Sequence, residues 1–240
     1  MSLDRFRSAS ATHAGAIRTV NQDAFVDRPD IGLWAVADGA GGHADGAQAA
    51  ALVARGLNGI VQGLSAGGMV AEIRALLATA HASLRVASGD AVSATTVVVL
   101  VARAGRYACL WAGDSRGYLL RDGRLSQITR DHSLVQELLD AGAITAAQAA
   151  QHPQGNVITR AIGAPDETLE LDRVSSIFVP GDRFLLCSDG LCKVLDDAEI
   201  ATLLAIAPTT AAPQGLIDAA LARRARDNVT AVVVEILPPE

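Results

Sequence analysis

The sequence predicts an α+β fold in which antiparallel sheets are covered by pairs of helices. Three observations carry that expectation. Segments with helical spacing of apolar residues come in two pairs, one early and one late in the chain. Strand-like runs are joined by short turns instead of regular crossover helices, which argues against a doubly wound parallel sheet. Half of the 240 residues are hydrophobic but only 3% are aromatic, so Ala, Val, Leu and Ile must fill the core.

Each element has its own warrant. Ile31 to Asp38 (IGLWAVAD) reads as a buried strand that stops at a glycine cluster. Ala47 to Gln62 and Met69 to Ala87 are rich in Ala and Leu at helical spacing and form the first helix pair. Thr95 to Ala102, Tyr107 to Ala112 and Gly117 to Arg121 follow as strands. Ala104-Gly105 and Asp122-Gly123 between or after them are hairpin turn signals. A helix is expected over Ser133 to Ala141 and a strand over Arg183 to Cys187. The second helix pair covers Asp197 to Ala205 and Pro213 to Arg224, and Asn228 to Leu237 closes the chain as a strand. No internal repeat or low-complexity linker divides the sequence, so residues 1–240 read as one domain. Within it, the weakly patterned stretch from Ser133 to Leu171, with His152, Pro153 and Pro165, is expected to be a mobile surface flap.

Composition excludes several classes of function. The net charge is −6 and the pI about 5.3, so no basic excess is present to neutralise nucleic-acid phosphates. So few aromatic rings make a base-stacking surface unlike this chain. Apolar residues are too abundant for disorder. The strongest apolar run, TTVVVLVA, falls far short of the ~18 residues that span a membrane. MSLDRFRSAS lacks the apolar stretch of a signal peptide. Cys109, Cys187 and Cys192 are an odd number and lie in or beside apolar runs, which fits free thiols in a reducing compartment. A cytoplasmic location is therefore expected.

The chemistry is carried by aspartates. Asp38 and Asp189 each follow an apolar run and precede a glycine, and Asp23 and Asp227 lie at the starts of strands. Asp114, in WAGDSRG, is of the same type. Any one Asp-Gly pair is ordinary turn chemistry. A set drawn from distant segments to one sheet rim is different, because carboxylates gathered without compensation repel one another. Carboxylate and carbonyl oxygens are also the hard donors that Mg²⁺ and Mn²⁺ prefer.

These segments, in this order, resemble the PP2C-type (PPM) metal-dependent serine/threonine phosphatases in their bacterial form. The resemblance is carried by RTVNQDAF, AVADGAGGHADG, TTVVVLV, WAGDSRGYLLRDG, TRDHSLV, NVITRAIG, FLLCSDGL and RDNVTAVVV, which cover nearly the whole chain. It implies a four-layer α-β-β-α sandwich of two antiparallel sheets flanked by helix pairs. It also implies two Mn²⁺ or Mg²⁺ ions, with Asp38 bridging them, the Gly39 carbonyl on one, and Asp189 and Asp227 on the other. A third, weaker ion would lie on Asp114 and Asp189, with Asp166 near it. Asp23, Gln22, His43 and Asn228 would support the ligands from behind. Arg18 matches the arginine that grips the substrate phosphate, a role its planar fork suits.

By the same resemblance, the reaction is hydrolysis of phosphoserine and phosphothreonine by a metal-held water, without a covalent intermediate. Substrates would be phosphorylated proteins, the partner a cognate Ser/Thr kinase, and the enzyme a monomer. Bacterial members act in cell-wall control, sporulation or type VI secretion, and no residue decides among these. Two departures stand out. Gln22 replaces the usual Glu and removes one charge from the metal rim. Ala40 stands where other members carry Met or His, which leaves His43 or water as the proton source for the leaving group.

Two other readings compete. Gly113-Asp114-Ser115-Arg116-Gly117 matches the G-x-S-x-G of serine hydrolases, but that motif needs a strand–turn–helix setting and a late histidine. No histidine follows His152. A phosphatase-like binding module would lack metal ligands, which are kept here. GAGGHADG without Gly-Lys-Ser/Thr is not a nucleotide-binding P-loop.

Overall fold

The structure, a computed structural model, describes residues 5–41, 45–88 and 93–239. Two antiparallel sheets stack face to face. The first runs in the order β1 (Arg5–His13), β11 (Val229–Leu237), β10 (Arg183–Cys187), β7 (Arg116–Arg121) and β8 (Arg124–Gln127). The second runs β2 (Asp23–Arg28), β3 (Leu33–Gly41), β5 (Val97–Arg103), β6 (Arg106–Ala112) and β9 (Asp172–Ile177), and the short β4 (Ser93–Thr95) pairs with the end of β3. Helices α1 (Asp45–Asn58) and α2 (Ala66–Ser88) pack on the second sheet. On the first sheet lie α6 (Asp197–Ile206) and α7 (Ala212–Ala222). The expected four-layer α+β sandwich is the observed one.

Strand alternation builds three apolar layers from continuous apolar runs. On β5, Val97, Val99 and Val101 face the first helix pair, while Val98, Leu100 and Ala102 face the other sheet. β10 divides the same way: Leu185 and Cys187 meet the second helix pair, Phe184 and Leu186 the sheet interface. Trp34, Trp111, Tyr107 and Phe184 fill the interface, so four of the chain's few aromatic side chains are spent at its centre. Each fully buried Val, Leu or Phe contributes roughly 1.5–3 kcal/mol. Strands with both faces covered must be apolar throughout, which is why these runs are unbroken.

Both hairpin turns take the expected form. Ala104 and Gly105 have φ of 52° and 72°, and Asp122 and Gly123 have 51° and 75°. Two consecutive positive φ values give the type I′ turn whose twist matches the strands it joins.

The flap is more ordered than its sequence pattern predicts. It holds α3 (Leu134–Asp140) and α4 (Ala146–Ala149). Ser133 Oγ accepts from Gln136 N, and Thr145 with Gln148 forms a reciprocal capping box, each satisfying backbone donors that a short helix leaves open. Bridges Ser133–Ile158 and Thr95–Ile162 tie the segment to itself and to β4. No helix among the described residues is long and apolar enough to cross a membrane.

Candidate active site: an acidic cleft at the strand ends

Four sequence-distant segments meet at one end of the sandwich. The strand pairing sets Asp23, the first residue of β2, directly opposite Asp38 on β3. Asp114 lies in the turn between β6 and β7. Asp189 follows β10 and opens the single helical turn α5 (Asp189–Cys192), so it starts a helix and does not end a strand as the sequence suggests. Asp227 precedes β11. Asp38, Asp114, Asp189 and Asp227 line a cleft of about 240 Å³ together with Arg18, Gln22 and Gly39.

Small residues allow this approach. A Cβ on Gly39 would come 2.3 Å from the Gly46 carbonyl oxygen, and one on Gly190 would come 2.1 Å from that of Asn228. The Asp-Gly pairs are therefore contacts between chain segments as well as turns. Thr96 anchors the end of β3: its N–H donates to the Asp38 carbonyl at 2.9 Å, and its Oγ1 accepts from Asp38 N at 3.3 Å. Thr95 Oγ1 donates to the same carbonyl at 2.9 Å.

Burial and like charge raise the carboxyls. Burial drives Asp38 well above the ordinary range, and Asp23, Asp189, Asp114 and Asp227 add repulsion. Asp23 is pushed up to about 6 by burial, against hydrogen bonds from Thr230 and Ser188. Those hydroxyls donate to its Oδ2 at 2.6 and 2.7 Å, while its Oδ1 is buried with no partner. Asp114 also rises to about 6 through burial and then Asp189, opposed by Lys193.

An oxygen-only donor set, an orphaned buried carboxylate oxygen and mutual repulsion are what a hard divalent cation relieves. The residues present fit such ions. Among the described residues, no three acidic, His or Cys side chains stand in ligating geometry. Cationic side chains hold several of the carboxylates instead. Arg18 Nη2 lies 3.0 Å from Asp227 Oδ2, and Lys193 Nζ lies 2.6 Å from Asp189 Oδ2 and 3.3 Å from Asp114 Oδ2.

Asn228 builds the loop that carries Arg18. Its Nδ2 donates to the carbonyls of Ala14 and Val20, both at 3.0 Å, and its Oδ1 accepts from Gln22 N at 2.9 Å. One amide thus closes both ends of the Arg18 loop. Gly15, at φ +82°, lets the loop pass Asp227, whose carbonyl oxygen would lie 2.1 Å from a Cβ there.

A model of the protein phosphatase 2C family matches residues 11–223. The chain belongs to that family. It is 35% identical over 237 residues to serine/threonine protein phosphatase PstP of Mycobacterium tuberculosis, covering 96% of this chain and 45% of the relative. The chain thus spans less than half the length of that curated relative. Among solved structures, it is similar to "PppA, a key regulatory component of T6SS in Pseudomonas aeruginosa", at 43% identity and TM-score 0.90, covering 99% of this chain and 100% of the other. It is also similar to the catalytic domain of PstP in complex with two manganese ions, at 34% identity and TM-score 0.83, covering 99% and 100%.

Within this protein phosphatase 2C chain, most of the expected site residues converge. Asp38, Gly39, Asp114, Asp189, Asp227, Arg18 and Gln22 line the cleft, and Asp23 and Asn228 stand behind it. Asp166 does not join them: it borders a separate cavity, with its carbonyl 2.9 Å from His81 Nε2. His43 lies outside the described residues. Ser115 is only 1% exposed and pairs with Thr96 Oγ1 at 2.7 Å. It sits between two strands, so the G-x-S-x-G match lacks the helix it needs. Cys109 and Cys187 are buried and free; burial raises the Cys109 thiol, and a hydrogen bond with Cys192, then burial, raises that of Cys187. Sequence reasoning missed Lys193, Asn156 and the hydroxyls of Ser188 and Thr230. Only Lys193 left a signal, as a cation four residues after Asp189.

Proposed function

We propose that the chain is a metal-dependent protein serine/threonine phosphatase acting on phosphoserine and phosphothreonine in proteins. The observation that carries this reading is the gathering of Asp38, Asp114, Asp189 and Asp227 around Arg18 in one cleft. In this reading Asp38, the Gly39 carbonyl, Asp189 and Asp227 hold two Mn²⁺ or Mg²⁺ ions, a number supported by the manganese-bound PstP catalytic domain. When bound, such ions lower the pKa of water and neutralise phosphoryl charge.

The chain's own residues do the rest. Arg18 binds phosphoryl oxygens through its fork, and Asn228 fixes the loop that aims it. Asp23, standing behind the cleft, adds negative charge beside Asp38. The leaving hydroxyl takes its proton from water or from His43. Cys109, Cys187 and Ser115 are buried, which supports direct hydrolysis without a protein nucleophile. Residues 1–240 act as one domain whose flap borders the cleft through Asn156 and Ile158. Free thiols support a cytoplasmic setting, where the enzyme would work as a monomer against a Ser/Thr kinase.

The test is hydrolysis of a phosphothreonine peptide. Turnover that requires Mn²⁺ and is abolished by EDTA supports the reading. Tight peptide binding without phosphate release would instead indicate a binding module.

A further inference from the structure

We infer that Lys193 is a tethered counter-cation. It fills the notch between Asp114 and Asp189 and latches flap residue Asn156 across it, so that this chain holds two divalent ions and not three. The ion count rests on the phosphatase reading; the latch does not.

The geometry is specific. Lys193 Nζ lies 2.6 Å from Asp189 Oδ2, 3.3 Å from Asp114 Oδ2 and 2.9 Å from Asn156 Oδ1. An ammonium has three donors and no acceptor, so these three partners saturate it. Its placement is built into the backbone: Lys193 N donates to the Asp189 carbonyl at 2.9 Å, which turns the side chain back over the residue four positions earlier. Asp114 is 5% exposed, and Lys193 supplies the positive charge against it.

Lys193 bonds only Oδ2 of Asp189 and leaves Oδ1 to the ions shared with Asp38 and Asp227. A divalent ion between Asp114 and Asp189 would need the Oδ2 atoms that Lys193 already holds. It would have to turn the ammonium out, break three hydrogen bonds and accept a second cation nearby. Without the ammonium, the same two carboxylates repel each other, and a free cation would relieve them. The latch reaches further through the chain. Asn156 neighbours Val157, whose carbonyl accepts from Leu134 N at 3.0 Å at the start of α3. Holding Asn156 therefore holds the inner edge of the flap against the acidic rim.

The experiment is Mn²⁺ titration calorimetry, with hydrogen exchange of residues 154–158, on the full chain. Lys193→Met keeps a long apolar stem but removes the charge; Lys193→Arg keeps the charge. Expected counts are two ions for the unmodified chain and for Lys193→Arg, three for Lys193→Met, and two again for Lys193→Met with Asp114→Asn. Three ions on the unmodified chain, or two on Lys193→Met, would overturn the counter-cation. An unmodified chain that binds no Mn²⁺ overturns the phosphatase reading and its ion count, and the latch is then judged by exchange alone. In EDTA, exchange at 154–158 should be about fivefold faster in both Lys193→Met and the exposed-residue variant Asn156→Ala, as expected for losing one charge-assisted hydrogen bond near the surface. Unchanged exchange in both overturns the latch.

Discussion

Asp114 is buried and Asp23 half-buried with one carboxylate oxygen enclosed, and burial pushes both carboxyls up to about 6. Their surroundings differ. Asp23 receives only neutral hydroxyl donors, faces Asp38 across the strand pair, and leaves one oxygen unpartnered. Asp114 faces Asp189 across an ammonium that bonds both. The Asp23–Asp38 pair keeps its repulsion, and the Asp114–Asp189 pair has it neutralised by the chain's own lysine. The difference teaches where external cations are needed. A site that already owns its counter-charge gains little from an ion, whereas stored repulsion becomes affinity when an ion arrives.

The sharpest way to break this contrast is Asp38→Asn. Phosphopeptide hydrolysis should fall about a thousandfold or more, the scale of losing a main electrostatic group. The melting temperature in EDTA should rise, by about 2–4 °C for each kcal/mol of repulsion removed. Asp114→Asn should give no such rise, since it strips Lys193 of a partner. Equal rises in the two variants would erase the distinction between the pairs.

Asn228→Ala tests the scaffold beside the uncompensated pair. It leaves the Ala14 and Val20 carbonyls and the Gln22 N–H without this partner, which should cost about 1–3 kcal/mol in urea unfolding. Arg18→Ala should raise KM for a phosphopeptide about tenfold, equivalent to about 1.4 kcal/mol, with a smaller fall in kcat. Arg18→Lys should recover part of this, because it keeps the charge but loses the fork.

The smallest effect is on pH dependence. Between the unfolded value of 3.8 and about 6, the folded chain holds more protons than the unfolded one at Asp23 and Asp114. Their contribution to stability therefore declines as pH rises through that window and stays low above it. In EDTA, Asp23→Asn should flatten this decline by a few degrees of melting temperature. An unchanged profile would mean that the repulsion is relieved in some other way.

The sequence revealed the interior better than the rim. β5, β10 and β11 were legible because both faces are covered and the runs are apolar throughout. β1 (RFRSASATH) and β9 (DRVSSI) are sheet edges with no fully buried residue, so their polar residues hid them. Of the flap's two helices, α3 matches the helix expected over Ser133 to Ala141, and α4 was hidden by length, since it has four residues and depends on its caps more than on periodicity. At the site, the Asp-Gly pairs and Arg18 were visible because each sits in a recognisable local motif. Lys193 was not. In sequence it is only a lysine near an aspartate, and it gains its meaning when folding brings Asp114 and Asn156 to the same ammonium.

The most direct measurement of where the ions go is anomalous diffraction at the manganese edge from crystals grown with Mn²⁺. The expected result is two manganese peaks against Asp38, with Lys193 still seated between Asp114 and Asp189. No peak against Asp38, or a peak in the Asp114–Asp189 notch with Lys193 turned away, would contradict the contrast between a pair that draws in ions and a pair neutralised by the chain's own lysine.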